Sequence, residues 1–363
     1  MSSIPELGGY FENTALPAEE NHFFEQLTPP DGSLRFLMSG RCGILCALED
    51  WKPSDRKRVA YVPAYTCGTV LAPYAKAGYR LKFYEVDRNM TPVLDPSALE
   101  EISVFNLCGY YGFSRYDREF VRQCKERGIC IVQDTTHSIL SLDGVEPEAD
   151  YITGSLRKWI SVPSGGFLIK RRGTLTPELL PFHAEHLEMR RSAMRLKQKS
   201  VEVPGSVPKA ELDAAAVTFR QAELLLRQMF DCYESDPESV AIMTHFPVEQ
   251  HRRLRRQNYQ RLLEVFPQSP ACTPVFPDLD EATVPSHFTV LAEHRDALKA
   301  WLEEQGIHTT AYWAKSPLAD TTACPQAAYI YDHVLSLPCD QRYTPADMER
   351  IAQTVEAFCR QEV

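Results

Sequence analysis

The sequence predicts an α/β fold with a mainly parallel sheet covered by helices. Two observations carry this: short apolar runs alternate with helical patterns from Ser39 onward, and an acid, Asp134, stands at the carboxyl end of one run, where ligands sit in such sheets. Strands are expected at Arg58–Val62, Leu81–Val86, Ile102–Phe105 and Ile129–Val132, with helices at Thr69–Ala77 and Asp117–Arg127 between them. Gly165-Gly166 followed by Phe167-Leu168-Ile169 reads as a further strand. A polar, basic stretch runs from Arg171 to Lys199, and Pro204-Gly205 with Pro208 then breaks the pattern, which places the domain boundary there. Beyond it come helices at Ala210–Cys232 and Val248–Phe266, a strand at His287–Leu291 and a helix at Arg295–Glu304. The last helix, Pro345–Arg360, carries Met348, Ile351, Ala352, Val355 and Phe358 at helical spacing.

With 363 residues, 44% hydrophobic and 24% charged, the chain is long enough for two packed domains. A net charge of −10 argues against nucleic acid as the main partner, because phosphate backbones need a positive field. Eleven cysteines without a Cys-x-x-Cys pair, several inside apolar patterns (Cys42, Cys46, Cys130), read as reduced thiols of a cytoplasmic protein. The start, Met-Ser-Ser-Ile-Pro-Glu, lacks a basic region followed by an apolar stretch, and no run approaches eighteen apolar residues, so neither secretion nor membrane spanning is expected.

Asp134 and Lys158, twenty-four residues apart, are the informative pair. An acid at a strand end can keep a pyridine nitrogen protonated, and a lysine facing the same ring can form a Schiff base with its aldehyde, which is the chemistry of pyridoxal 5'-phosphate (PLP). Ser155, three residues before the lysine, could hydrogen-bond a phosphate. Taken singly, Asp134 reads as a turn or capping residue and Lys158 as a surface charge. Ser39-Gly40-Arg41-Cys42-Gly43 opens a helix whose first-turn N–H groups favour an anion, although Ser39 alone reads as a plain helix cap. His137 could reach the phenolic oxygen of a pyridoxal ring, the alternative being a core histidine satisfied by backbone carbonyls. The histidines lack His-Glu-x-x-His spacing, so no metal is expected, and a Gly-x-Ser-x-Gly elbow is absent. The basic runs Arg190-Arg191 to Lys199 and His251 to Arg256 read as solvated helix faces or, alternatively, as a clamp for a substrate diphosphate.

In motif order the chain resembles the fold-type I PLP enzymes, specifically the DegT/DnrJ/EryC1/StrS family of sugar aminotransferases. The resemblance rests on Gly8-Gly9-Tyr10-Phe11, Ser39-Gly40-Arg41, Val62-Pro63-Ala64-Tyr65-Thr66, Gly109-Tyr110-Tyr111-Gly112, Asp134 to Ser138, Ser155 to Lys158 before Gly165-Gly166, and, near the carboxyl end, Val334 to Pro338 and Asp347 to Ile351. It implies a large cofactor-binding domain (1–205, with the amino-terminal segment left free to pack elsewhere) and a smaller C-terminal α+β domain (206–363). It also implies Lys158 as the Schiff-base lysine and general acid/base, Asp134 as partner of the pyridine nitrogen, and His137 near the phenolic oxygen. Gly40, Arg41, Cys42 and Ser155 would then lie in the cofactor site, and the chain would be a homodimer.

Three features depart from the family pattern. Cys67 stands where many members place an aromatic ring over the cofactor, leaving Tyr65, Tyr110 or Tyr111 as substitutes; the serine-to-lysine spacing is short; and the Gly-Tyr-Asn-Tyr-Arg segment, through which a partner subunit contributes, is missing. The function this reading implies is amino transfer from a donor such as glutamate to a keto acceptor, for example a nucleotide-linked keto sugar. The competing readings are another fold-type I chemistry, such as elimination or aldol-type cleavage, and a non-catalytic PLP-binding regulator.

Overall fold

The computed structural model describes residues 6–13, 16–228 and 230–361. The chain divides into two compact units, and it passes between them four times: one unit takes the segment to Gly9, Arg56–Ala149 and the segment from Val248, and the other takes Tyr10–Asp55 and Asp150–Pro247. In chain order, β1 (Leu7–Gly8) belongs to the first unit. The second unit then receives α1 (Phe23–Leu27), β2 (Ser33–Leu37) and α2 (Gly40–Trp51). The first resumes with β3 (Val59–Pro63), α3 (Gly68–Lys76), β4 (Arg80–Val86), β5 (Pro92–Val93), β6 (Val104–Cys108), α4 (Arg118–Glu126) and β7 (Cys130–Asp134). The second is completed by β8 (Tyr151–Ser155), β9 (Gly166–Lys170), α5 (Ala184–Glu202), α6 (Lys209–Gln228) and α7 (Pro237–His245). The first closes with α8 (Val248–Val265), β10 (Cys272–Pro274), β11 (Phe288–Ala292), α9 (Arg295–Glu304), β12 (Ile307–His308), α10 (Pro325–His333), β13 (Val334–Leu337) and α11 (Pro345–Cys359).

In the first unit β7, β6, β3 and β4 pair in parallel, and β5 adds an antiparallel edge. The buried faces of these strands and of α4 meet in a cluster of Tyr61, Phe105 and Phe120. A separate antiparallel sheet, β10-β11-β13, supports the helices of the carboxyl-terminal segment. In the second unit β9 pairs antiparallel with both β2 and β8, and Phe24 packs edge-on against Phe36 and tilted against Phe167. Gly43 on α2 is needed for close approach: a Cβ there would lie 2.1 Å from the Thr153 hydroxyl of β8.

The α/β class and most expected elements stand in the structure within a residue or two, α9 and α11 almost to the residue. The contacts, however, do not divide the chain at 205–206: α6 packs on α5 within the same unit, and the switch to the other unit comes at Pro247/Val248. The basic stretch after Arg171 contains the long helix α5, whose polar surface hides its helical period.

Candidate active site

In the first unit, Asp134 ends β7, and its Oδ1 accepts the Thr136 N–H at 2.9 Å. Burial raises the Asp134 carboxyl above its ordinary value, and the hydrogen bonds from Thr136 only partly oppose this. Among the described residues no lysine or arginine forms an ion pair with it. The turn that follows brings in His137, buried with its Nδ1 3.2 Å from the Ser286 hydroxyl. The ring packs edge-on against Tyr111, Tyr312 and Trp313, with centroids 5.3, 5.3 and 5.5 Å away.

The candidate stacking residues Tyr65, Tyr110 and Tyr111 are all fully buried and joined by their hydroxyls. Tyr65 and Tyr111 are 2.8 Å apart at oxygen, Tyr110 donates to the Tyr65 carbonyl at 2.7 Å, and Tyr65 also donates to the Tyr312 carbonyl. Burial raises all three phenols, so they remain protonated donors. Tyr111 adopts a left-handed backbone (φ 57°), and Gly112 follows at φ 111°, where an added Cβ would lie 2.2 Å from the Val284 carbonyl oxygen. Such strain in a bulky residue persists only where the surroundings enforce it. Cys67 caps α3 and receives the Thr69 hydroxyl at 3.0 Å.

In the second unit, Ser39 is the N-cap of α2: its hydroxyl accepts the Cys42 N–H at 3.4 Å and lies 3.1 Å from the Cys42 sulfur. Gly40 begins the helix, and Arg41 beside it donates to the Leu226 carbonyl of α6 at 2.8 Å. Ser155 ends β8, and a single turn, Leu156–Lys158, carries the half-buried lysine. Arg157 in that turn reaches Glu223 of α6 at 2.8 Å and Ser155 at 3.5 Å, and Arg190 of α5 pairs with the same Glu223 oxygen. Burial would raise Glu223, but Arg157, Arg190, Lys158 and His186 together hold it well below the usual carboxylate range. His186, 1% exposed, is pushed down to about 3 by burial and by the two arginines, and among the described residues neither ring nitrogen has a hydrogen-bond partner. Each unit therefore groups its own expected residues: Asp134 with His137, and Gly40, Arg41, Cys42, Ser155 and Lys158 around α2, the β8 turn and α6.

The two basic runs are mostly not solvated faces. Arg190 is buried on Glu223, Arg191 pairs with Asp236 and with Glu238 at 2.7 Å, and Arg252 binds Glu249 and the Leu140 carbonyl at 2.6 and 2.9 Å. Arg255 is fully buried and donates to the Ser286 carbonyl at 2.9 Å, while Arg256 donates to the carbonyls of Asp280 and Thr283. These partners are internal, which weakens the diphosphate-clamp reading; Arg195 and Lys199 in the first run and Arg253 in the second remain exposed. The sequence reading also missed Glu223, His186, Ser286 and the doublet Tyr312-Trp313. An aromatic pair in an aperiodic stretch after Gly306 was the one available signal.

Residues 243–356 match the model of the DegT/DnrJ/EryC1/StrS aminotransferase family. Over these residues, about a third of its length, the chain is similar to that family. Solved structures with the same fold include a DegT DnrJ EryC1 StrS aminotransferase from Brucella abortus, at 17% identity and TM-score 0.63 over 94% of this chain and 89% of that one. PseC of Helicobacter pylori, an aminotransferase involved in pseudoaminic acid biosynthesis, aligns at 13% identity and TM-score 0.68 over 98% and 100%. Spr1654 of Streptococcus pneumoniae in its PLP form aligns at 13% identity and TM-score 0.64 over 98% and 94%. At these identities the likeness is one of fold, and it agrees with the α/β architecture expected from the sequence.

Proposed function

We propose that the chain is a PLP-dependent aminotransferase that moves an amino group from a donor such as glutamate to a keto acceptor, with a nucleotide-linked keto sugar as the acceptor class. The observation that carries this reading is the buried Asp134, whose hydrogen bonds come from Thr136 and whose carboxyl is raised by burial. A buried carboxylate of this kind fits a protonated pyridine nitrogen, which would give it the cation it lacks among the described residues. The family match, and the PLP form of Spr1654 as a fold relative, support the same cofactor.

When bound, PLP supplies an electron sink that stabilises the negative charge left when a proton leaves the substrate carbon. Lys158 would hold the cofactor and would be the group that moves the proton at the substrate carbon. Asp134 would keep the ring nitrogen protonated, His137 would serve the phenolic oxygen, and the first turn of α2 with Ser155 would hold the phosphate. The enzyme works in the cytoplasm as a homodimer. No helix among the described residues is long and apolar enough to cross a membrane.

The test is a half-reaction. Protein loaded with PLP and given glutamate alone should lose its visible absorbance and release one equivalent of 2-oxoglutarate. Ammonia or a cleavage product from an amino acid alone would indicate elimination or aldol chemistry, and bound PLP with no turnover of any donor would indicate a regulator.

A further inference from the structure

Four side chains from separate parts of the first unit form a continuous polar chain. His137 Nδ1 lies 3.2 Å from the Ser286 hydroxyl, the same hydroxyl lies 3.1 Å from His287 Nδ1, and His287 Nε2 lies 3.4 Å from the Tyr312 hydroxyl. Ser286 at its centre is held from both sides: its N–H donates to the Tyr111 carbonyl at 2.8 Å, and its carbonyl accepts from the buried Arg255. The far end is held as well, because Tyr65 and Tyr111 both donate to the Tyr312 carbonyl. His137, Ser286 and Tyr312 are buried and His287 is half-buried.

A serine hydroxyl has one proton and two lone pairs, and here it faces two Nδ1 atoms, so it donates to one of them at most; when it does, the other ring bonds to it only by carrying its own proton on Nδ1. In that arrangement the two tautomers are opposite. If Tyr312 donates to His287 Nε2, then His287 carries its proton on Nδ1 and donates to Ser286, Ser286 donates to His137 Nδ1, and His137 carries its proton on Nε2. We propose that Ser286, His287 and Tyr312 are positioning residues that fix His137 as an Nε2–H donor. Such a donor is suited to the negatively charged phenolic oxygen of the cofactor; with the chain reversed, Nε2 would be an acceptor and repel that oxygen. The proposal rests on the PLP reading for its purpose, but the tautomers themselves do not depend on it.

The test is ¹⁵N NMR of the imidazole nitrogens in the full-length protein without added PLP. His137 should be the Nε2–H tautomer and His287 the Nδ1–H tautomer. In Tyr312→Phe, which touches neither His137 nor Ser286 covalently, the Nε2–H share of His137 should fall from about nine in ten to about half, because the direction of the chain is no longer set. Ser286→Ala, which removes only a hydroxyl, should uncouple the two rings and serves should the tyrosine variant not fold. Identical tautomers in the parent protein, or a His137 unmoved in the variants, would overturn the proposal. PLP binding at Lys158 is scored separately on the same samples: opposite tautomers in a chain that takes up no PLP would support the coupled pair while removing the cofactor reading.

Discussion

In the unit built on β3, β4, β6 and β7, the candidate residues are held by neutral hydrogen bonds and ring contacts: Asp134 by Thr136, His137 by Ser286 and an aromatic surround, three tyrosines by one another's oxygens. In the unit built on β2, β8 and β9, the lysine turn instead lies among charges, with Glu223 drawing Arg157 and Arg190 together beside Lys158. The difference fits the roles proposed for each side. A carboxylate that must keep a ring nitrogen protonated is best left without a competing cation, whereas an anion site near a lysine needs fixed positive charge that does not collapse onto the lysine.

The largest effects are expected at the two groups proposed to be reactive. Lys158→Ala should abolish transamination, a loss of at least about 10⁴-fold in kcat, and remove the visible absorbance of the bound cofactor. Asp134→Ala should leave cofactor attachment in place but slow the half-reaction by several orders of magnitude in stopped-flow measurements, since an unprotonated pyridine is a poor electron sink. Unchanged half-reaction rates would move the pyridine partner elsewhere.

Two substitutions ask how each unit is held. Gly112→Ala adds a Cβ into the Val284 carbonyl at a positive φ, and should cost about 2–3 kcal/mol in chemical denaturation. Glu223→Gln leaves two arginines without their shared counter-charge. Because its side chain keeps 33% of its surface exposed, the cost should be about 1–3 kcal/mol, below that of a fully buried pair.

The acid side of the stability curve sharpens the contrast further. Glu223, depressed in the folded state, contributes fully above its unfolded value of about 4.3 and loses that contribution as pH falls below it. His186, depressed to about 3, takes up a proton on unfolding, so it lowers stability progressively from about pH 6.5 down to its folded value. His186→Leu should therefore flatten the decline between pH 6 and 5 by about 1 kcal/mol, and an unchanged slope would mean the ring titrates normally.

The sequence made the strands legible, and made Asp134 a candidate, for a local reason. Ile129 to Val132 is a continuous apolar run, and an acid two residues after it stands at the carboxyl end of the strand, where ligands sit in such sheets. Helix α5 was hidden because arginines and lysines cover much of its surface and its stability comes from partners such as Glu223 and Asp236, which lie 33 and 45 residues along the chain from Arg190 and Arg191. The two-unit division was hidden because the chain crosses four times, and no local composition marks a crossing. The chain from His137 to Tyr312 joins residues 149 positions apart at its first link, a contact set by topology alone.

The most direct measurement is borohydride reduction of the purified protein loaded with PLP, followed by peptide mapping. The account predicts one phosphopyridoxyl adduct, on Lys158, and none after Lys158→Ala. An adduct on a different lysine, or one that survives the substitution, would contradict it.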